Sequence, residues 1–172
     1  MSHAHNTLIR GLNSIYLQGP HLTSSTSIHD FLFYCSAWIK TVHHHHSSEE
    51  KVLFPELENL TKDKNIMHEN KTQHEGFLEG LEKFGEYVSG TEPEEYRWSD
   101  MKAKIDTFAP ALLEHLRDEI DTLQSLQNYD SEQLREVWQK VENAAKGDIR
   151  LPGMFVSCDT AFLLWWRRKY AR

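Results

Sequence analysis

The sequence predicts an all-α protein, folded as an up-down-up-down four-helix bundle with an additional C-terminal helix and a tail. Apolar residues recur at helical spacing along most of the 172 residues, and no segment shows the apolar–polar alternation typical of a strand. Segments that contain glycine and proline divide this pattern into four long pieces and one shorter piece. The connections are short to medium in length, which favours antiparallel neighbours.

The first predicted helix precedes a run of four histidines, and the second contains it. The first covers about residues 3–18 and ends at a Gly-Pro pair, because proline cannot continue a helix. Ser27 with Asp30 resembles a capping box that opens the second helix. That helix continues through the histidines to about Phe54, where Pro55 is expected to kink or end it before a short extension.

Three further helices are predicted, over about residues 66–88, 99–126 and 131–147. Pro110 is expected to bend the second of these three. The chain from Ile149 onwards is less regular and mixes apolar with basic residues. We expect it to pack as a final helix, with a position on a membrane surface as the alternative.

Length and composition favour one domain over residues 1–172, with the bundle in about 3–128 and a C-terminal extension over about 130–172. The net charge of −7 argues against nucleic acid and an anionic membrane as partners, since both attract excess lysine and arginine. No apolar run approaches the roughly 20 residues that span a bilayer, and the amino terminus lacks the apolar core of a signal peptide. Cys35 and Cys158 do not make a disulfide framework, so a reducing, cytoplasmic location is expected.

The eleven histidines are the unusual feature of the composition, and four of them are consecutive. At about 100° per residue, His45 and Glu49 lie in the apolar stripe of the second helix. His46 lies at the edge of that stripe, whereas His43 and His44 point away from it towards solvent. A purification tag is not expected here, because the run continues a helical stripe far from either terminus.

The other three long helices carry the same pattern. His5, His74 and His115 each lie on the apolar face of a helix, and Glu119 follows His115 by one turn. Taken singly, such a histidine is explained as a hydrogen-bonded core residue, and a His–Glu pair as an ion pair on a wet face. A shared metal site explains all the inward histidines and glutamates together, since buried imidazoles and carboxylates are costly unless paired or metal-bound.

The types of ligand favour a pair of metal ions. The cluster contains no thiolate, which excludes an iron–sulfur centre, and it has too many ligands for one tetrahedral zinc ion. Bridging carboxylates with capping imidazoles suit two six-coordinate ions, with iron favoured and manganese second. Bundle cores with helix-borne glutamate and histidine are a recurrent home for two iron ions.

Four segments carry a resemblance to a known family: HNTLIRGLN, HHSSEEKVLFP, NKTQHEGFLEGL and HLRDEI. In this order they are similar to the hemerythrin-like (HHE cation-binding) domain, of the single-domain type common in fungi, over about residues 5–126. The resemblance implies that Glu49 and Glu119 bridge two iron ions (Fe2+/Fe3+) with an oxo or hydroxo bridge, and that manganese or zinc can take their place. It implies the metal ligands His5, His45, Glu49, His74, His115 and Glu119.

Two departures from the oxygen-carrying hemerythrins affect the ligand set. Asn70 stands where those proteins have a second inward histidine in the third helix, and Glu119 stands where they have aspartate. The implied set therefore has six ligands, one fewer than the seven of the oxygen carriers. His46 is the first candidate for the missing ligand. His21 is the next candidate, followed by Glu50, which is expected to be solvated instead.

The resemblance implies a non-haem di-iron protein that binds or reacts with O2 or peroxide, as a carrier, a sensor, or a low-specificity oxidase or peroxidase. Two alternatives stay open. One is a metal-dependent enzyme acting on a small organic molecule, with a cavity lined by the first helix, the second helix and the tail. The other is a module that senses iron through its own folding.

The remaining predictions concern residues around the metal site and the assembly. Tyr16 and Tyr34 are either hydrogen-bond donors near the irons or simple core aromatics, and Cys35 is expected to be a small core residue. Monomer and homodimer are both compatible with the sequence.

Overall fold

The structure is a computed structural model, and it describes residues 1–148. Its helices, in chain order, are α1 (Ser2–Gln18), α2 (Ser25–Ser48), α3 (Phe54–Thr61), α4 (His68–Gly90), α5 (Trp98–Ser125) and α6 (Ser131–Asp148). A π-helical segment, Glu49–Leu53, joins α2 to α3, and short 3₁₀ turns lie at Gly19–His21, Pro93–Glu95 and Leu126–Asn128. These residues contain no strand, and none of their helices is long and apolar enough to cross a membrane.

The four long helices pack in a ring: α1 against α2, α2 against α4, α4 against α5, and α5 back against α1. Helix α6 packs on α2, α3 and the π-helical segment. The predicted all-α bundle with an additional C-terminal helix is therefore confirmed. The predicted packing of the tail, and one domain over the whole chain, stay predictions because residues 149–172 lie outside the described part.

The predicted start of α2 is wrong by three residues, because the N-cap is Ser24 and not Ser27. The helix begins at Ser25, and the Ser24 hydroxyl oxygen accepts a hydrogen bond from the Ser27 amide at 3.2 Å. Ser27 is thus in the first turn, and Ser24 satisfies one of the amides that a helix start leaves without a partner. At the other end, the short extension predicted beyond Pro55 is α3. Pro55 lies in its first turn, where a missing N–H is best tolerated.

The core is divided into two apolar clusters with a polar layer between them. The larger cluster lies among the four long helices and contains the buried rings of Phe31, Trp38, Phe77, Phe84 and Phe108. The smaller cluster gathers Leu53, Phe54, Leu57, Met67, Leu126 and Val137. Along α2 and the π-helical segment, Val42 belongs to the larger cluster and Leu53 to the smaller. The buried polar residues between them therefore have apolar groups on both sides.

The close approach of α1 to α2 depends on Gly11. The Trp38 indole nitrogen donates to the Leu8 carbonyl oxygen at 2.9 Å, which holds the ring against α1. A Cβ atom at Gly11 would lie 2.3 Å from Trp38 Cδ1 and 2.7 Å from its Nε1. Because Trp38 is fully enclosed in the larger cluster, the ring has little room to move away.

We expect Gly11→Ala to lower the free energy of unfolding by about 1–3 kcal/mol, because the added methyl overpacks the contact with Trp38. The matched control is Gly76→Ala in α4, where an added Cβ meets nothing within 4 Å. There the loss of a helical glycine should raise stability by about 0.5–1 kcal/mol. Urea unfolding measures both changes, and the same sign for the two substitutions would contradict this packing.

Candidate metal centre

The polar layer holds two groups of possible metal ligands. Within each group, one nitrogen or oxygen atom per residue lies within 4.8 Å of the others. The three-imidazole group consists of His46, Glu49, His74 and His115. The two-imidazole group consists of His5, His45, Glu49 and Glu119. Glu49 belongs to both groups, so its carboxylate lies between them.

Glu49 faces the two groups with different oxygens. Its Oε1 lies 2.9 Å from His45 Nε2 and 4.0 Å from His5 Nε2. Its Oε2 lies 3.7 Å from His74 Nε2. The Glu119 Oε2 atom lies 2.9 Å from His5 Nε2, within the two-imidazole group. The geometry therefore suits a bridge through Glu49 and places Glu119 beside His5.

His45 and His46 of α2 belong to different groups because they lie on opposite sides of the line of α2 that faces the core. At about 100° per residue, His45 and His46 lie about 60° and 40° to either side of Val42. The His45 ring lies edge-on to His5 of α1, with ring centroids 5.0 Å apart. The His46 ring lies 4.6 Å from that of His74 in α4. Helix α2 thus supplies one imidazole to each group.

The π-helical segment begins at Glu49 and contains one extra residue in its turn. The Phe54 amide donates to the Glu49 carbonyl oxygen, five residues back, so this turn contains one more residue than an α-helical turn. Leu53 and Leu57 are buried after it, whereas Val52 is half-buried.

Hydrogen bonds to backbone oxygens fix two of the imidazoles from outside. The Nδ1 atom of His5 lies 2.8 Å from the carbonyl oxygen of Leu116. The Nδ1 atom of His46 lies 2.8 Å from the carbonyl oxygen of Val42. A carbonyl oxygen can only accept, so each Nδ1 must carry the hydrogen.

Side chains fix two more imidazoles in the same way. The His74 Nδ1 atom lies 2.7 Å from Glu50 Oε1, and the His115 Nδ1 atom lies 3.3 Å from Gln73 Oε1. The Gln73 amide nitrogen donates to an Asp118 carboxylate oxygen at 2.8 Å, which sets which end of the amide faces His115. With hydrogen on Nδ1, the Nε2 atom of a neutral imidazole presents a lone pair to the interior.

These inner lone pairs converge without partners. The Nε2 atoms of His74 and His115 are 3.1 Å apart. When each imidazole is neutral and carries its hydrogen on Nδ1, the other buried polar atoms of the layer have no hydrogen-bond donor: Nε2 of His5, His45 and His46, and both carboxylate oxygens of Glu49 and Glu119. Buried polar atoms are normally satisfied, and leaving so many of them unpaired is costly. Cations placed between them would satisfy all of them, so the donor set fits metal.

Burial and charge act differently on the two groups. Burial lowers the pKa of His46 to about 2 and that of His115 to about 3, so both are neutral near pH 7. Burial also opposes charge on His5, but the Glu119 and Glu49 carboxylates outweigh it and raise the pKa of His5 to about 9. Burial and repulsion from Glu49 raise the pKa of Glu119. Without a cation, His5 is therefore protonated near pH 7, and its Nε2 lies near the carboxylates of both Glu119 and Glu49.

The helices that carry both groups match a known family. The model of the family described as "Hemerythrin HHE cation binding domain" matches residues 1–126. The chain belongs to the hemerythrin HHE cation-binding domain family. The match extends from α1 to the end of α5 and includes every residue of the two groups.

One curated relative of this hemerythrin domain is the "Dimeric xanthone biosynthesis cluster protein R11" of Cryptosporiopsis sp. (strain 8999). It is 49% identical over 142 residues, which is 83% of this chain and 54% of the relative. The chain therefore spans about half the length of the curated relative that it matches. No solved structure matches this chain.

The hemerythrin domain brings together all six residues that the resemblance implied as ligands: His5, His45, Glu49, His74, His115 and Glu119. It adds His46, the first candidate for the missing ligand, which is 6% exposed. Metal binding by these particular residues stays a prediction, with the geometry in its favour.

Other residues considered for the centre lie elsewhere. His21 is exposed in the 3₁₀ turn after α1 and belongs to neither group. Tyr16 donates a hydrogen bond to the Asp106 carboxylate instead of reaching the metal groups. Tyr34 packs against the larger cluster, three turns before His45 and so about 16 Å away along α2. These tyrosines are therefore not donors at the centre.

Asn70 is the residue that stands where the resemblance gives the oxygen carriers a second inward histidine. Asn70 lies one turn before His74, is 1% exposed, and its Oδ1 atom has no hydrogen-bond partner. His46 of α2 lies in the same group as His74, with ring centroids 4.6 Å apart.

The sequence analysis did not predict the supporting roles of two residues, Glu50 and Gln73. Glu50 was expected to be solvated, and its side chain is indeed 51% exposed, but it also holds His74. Gln73 holds His115 and directly precedes His74 in the sequence. Adjacency to a ligand was the available signal, but the contacts run between helices and depend on how those helices pack.

We expect His46→Ala to lower the metal content, because it removes one of the imidazoles of the three-imidazole group. The matched control is His43→Ala, on the same helix and in neither group. His43 is half-buried, not solvated as predicted, so the control also tests general disturbance of α2. Elemental analysis after reconstitution measures the difference, and equal metal loss in both variants would refute the assignment of His46.

We expect metal binding to release protons near pH 7. The raised pKa of His5, about 9, means that a metal ion at its Nε2 must displace a proton. Apparent metal affinity should therefore rise with pH up to about 9, where the contribution of His5 ends. Calorimetry in buffers of different ionisation enthalpy counts these protons, and binding without release at neutral pH would contradict the charge assigned to His5.

Proposed function

We propose that this hemerythrin domain holds two iron ions in the polar layer and binds or reduces O2 or peroxide there. The observation that carries the proposal is the pair of ligand groups joined through Glu49, with five imidazoles and two carboxylates in all. Nitrogen and oxygen donors of this kind, without thiolate, favour iron over softer metals. Within the described residues the cysteine Cys35 is buried in the larger cluster, away from both groups.

In this proposal His46, His74 and His115 would hold one ion, His5, His45 and Glu119 would hold the other, and Glu49 would offer one carboxylate oxygen to each. The resemblance implies a bridging role for Glu119 as well, and its carboxylate beside His5 is compatible with it. Two iron(II) ions bound there would supply the electrons for binding or reducing O2. The protein supplies preoriented lone pairs, because the outer hydrogen bonds hold four rings in place before metal arrives.

The walls of the centre favour a dry site. The Phe77 ring packs against three imidazoles, with centroid distances of 4.8 Å to His46, 5.8 Å to His74 and 5.6 Å to His115. On the side of the smaller cluster, the Phe54 ring lies 5.5 Å from that of His74. These apolar rings restrict access of water and protons to the three-imidazole group, which supports binding or controlled reduction of a small molecule.

A second candidate is an enzyme that acts on a small organic molecule, and a cavity of about 270 Å³ supports it. The cavity is lined by Leu57, Leu123, Gln124, Leu126, Gln127, Leu134 and Trp138. Among the described residues this lining has no charged side chain, which suits an uncharged aromatic molecule with a few polar groups. Leu123 of this lining follows Glu119 by one turn of α5.

The place of this cavity differs from the predicted one. The sequence analysis expected walls from the first helix, the second helix and the tail, and the tail lies outside the described residues, so that cavity stays a prediction; the described cavity lies among α3, the end of α5 and α6. The printed name of the relative R11 places that protein in a dimeric xanthone biosynthesis cluster. The name gives the second candidate additional support.

Anaerobic loading with Fe(II), followed by elemental analysis and exposure to O2, tests the proposal. We expect two iron ions per chain and a near-ultraviolet or visible absorption band that requires O2. Glu49→Gln should abolish the band, because it removes the shared charge, whereas Glu75→Gln at an exposed site should keep it. One ion or none per chain in the parent protein, or two ions without any response to O2, would refute the proposal.

Added 1-naphthol, an uncharged aromatic compound, separates the two candidates in the same assay. Absorption that reverses under argon with naphthol unchanged supports O2 binding. Consumption of naphthol in step with O2 supports the enzyme, provided that Leu134→Arg in the cavity wall stops it while iron content is unchanged.

A further inference from the structure

The outer hydrogen bonds of the imidazoles are not equivalent. His5 and His46 bond to backbone carbonyl oxygens, and His115 bonds to the neutral amide of Gln73. His74 alone among them bonds to a carboxylate, that of Glu50, with Nδ1 and Oε1 2.7 Å apart. Within the described residues, Glu50 is therefore the one charged acceptor behind these four rings.

The His74 ring lies between two successive carboxylates. The Oε2 atom of Glu49 lies 3.7 Å from its inner nitrogen, and the Oε1 atom of Glu50 lies 2.7 Å from its outer nitrogen. Glu49 and Glu50 are the first two residues of the π-helical segment. One turn of backbone thus places one carboxylate inside the centre and the next one behind the ring.

The two halves of the centre also differ in their own charge. The two-imidazole group contains the carboxylates of Glu49 and Glu119, whereas the three-imidazole group contains only that of Glu49. Two cations of equal charge would therefore meet unequal compensation. A carboxylate that accepts the Nδ1 hydrogen of a ligating imidazole makes its Nε2 a stronger donor, and it adds negative charge nearby.

We propose that Glu50 is a positioning residue that sets the metal affinity of the three-imidazole group. It holds His74 with Nε2 directed inward, and through the ring it supplies the negative charge that this half of the centre lacks. The inference rests on the proposed two-ion centre, but it depends neither on the identity of the metal nor on a reaction with O2.

A titration of the metal-free protein with Co2+ tests this role, followed by calorimetry and by visible absorption of the bound ion. The parent protein should bind two ions. Glu50→Gln keeps the shape of the side chain but removes its charge. It should weaken one of the two binding events by about 10–100-fold, the usual cost of losing such a partner, and leave the other nearly unchanged.

The matched control is Glu75→Gln, an exposed carboxylate next to His74 in the sequence, which should leave both binding events unchanged. Urea unfolding of metal-free Glu50→Gln should match that of the parent, since the Glu50 side chain is half exposed. A general structural role would weaken both events or lower this stability, and either result would overturn the proposal, as would unchanged binding. Fewer than two ions on the parent protein would instead refute the two-ion centre itself.

Discussion

The structure depends on one electrostatic constraint: outer hydrogen bonds force the imidazole lone pairs of the core to point at one another. Carbonyl, amide and carboxylate oxygens take the Nδ1 hydrogens of His5, His46, His74 and His115. The inner nitrogens then meet the carboxylate oxygens of Glu49 and Glu119, which find no hydrogen-bond donor unless a proton is taken up, as on His5. Burying such a layer is unfavourable on its own, and bound cations would offset this free-energy cost. Metal affinity and folding stability are therefore linked.

The architecture concentrates this cost in one place. Two apolar clusters enclose the polar layer, and the four long helices each contribute to it from a rigid, packed position. A π-helical segment at Glu49 supplies the carboxylate shared by the two groups and the Glu50 carboxylate behind His74 within one turn. Irregular turns of this kind occur often at functional sites, because they redirect side chains without breaking the helix. The fold thus holds the ligand side chains in place before metal binds. Of the two carboxylates that the π-helical turn contributes, only that of Glu50, behind His74, is half exposed to solvent.

Helical periodicity was sufficient to predict the bundle and the inward histidines, because burial of one face per helix leaves a strong sequence pattern. It did not predict that His46 and His45 serve different groups, since a single helix shows which residues face inward but not which neighbours they meet. The π-helical turn was also missed, because a constant 100° per residue cannot represent an inserted residue. The contacts of Glu50 and Gln73 depend on inter-helix distances, which periodicity does not contain.

The most direct test of the central claim is an anomalous-difference map from crystals of the iron-loaded protein. The account predicts two peaks per chain, about 3.5–4 Å apart as in other two-metal sites, on either side of the Glu49 carboxylate. One peak should be bonded to Nε2 of His46, His74 and His115, and the other to Nε2 of His5 and His45. A single peak, or iron bound at the exposed histidines instead of in the polar layer, would contradict the account.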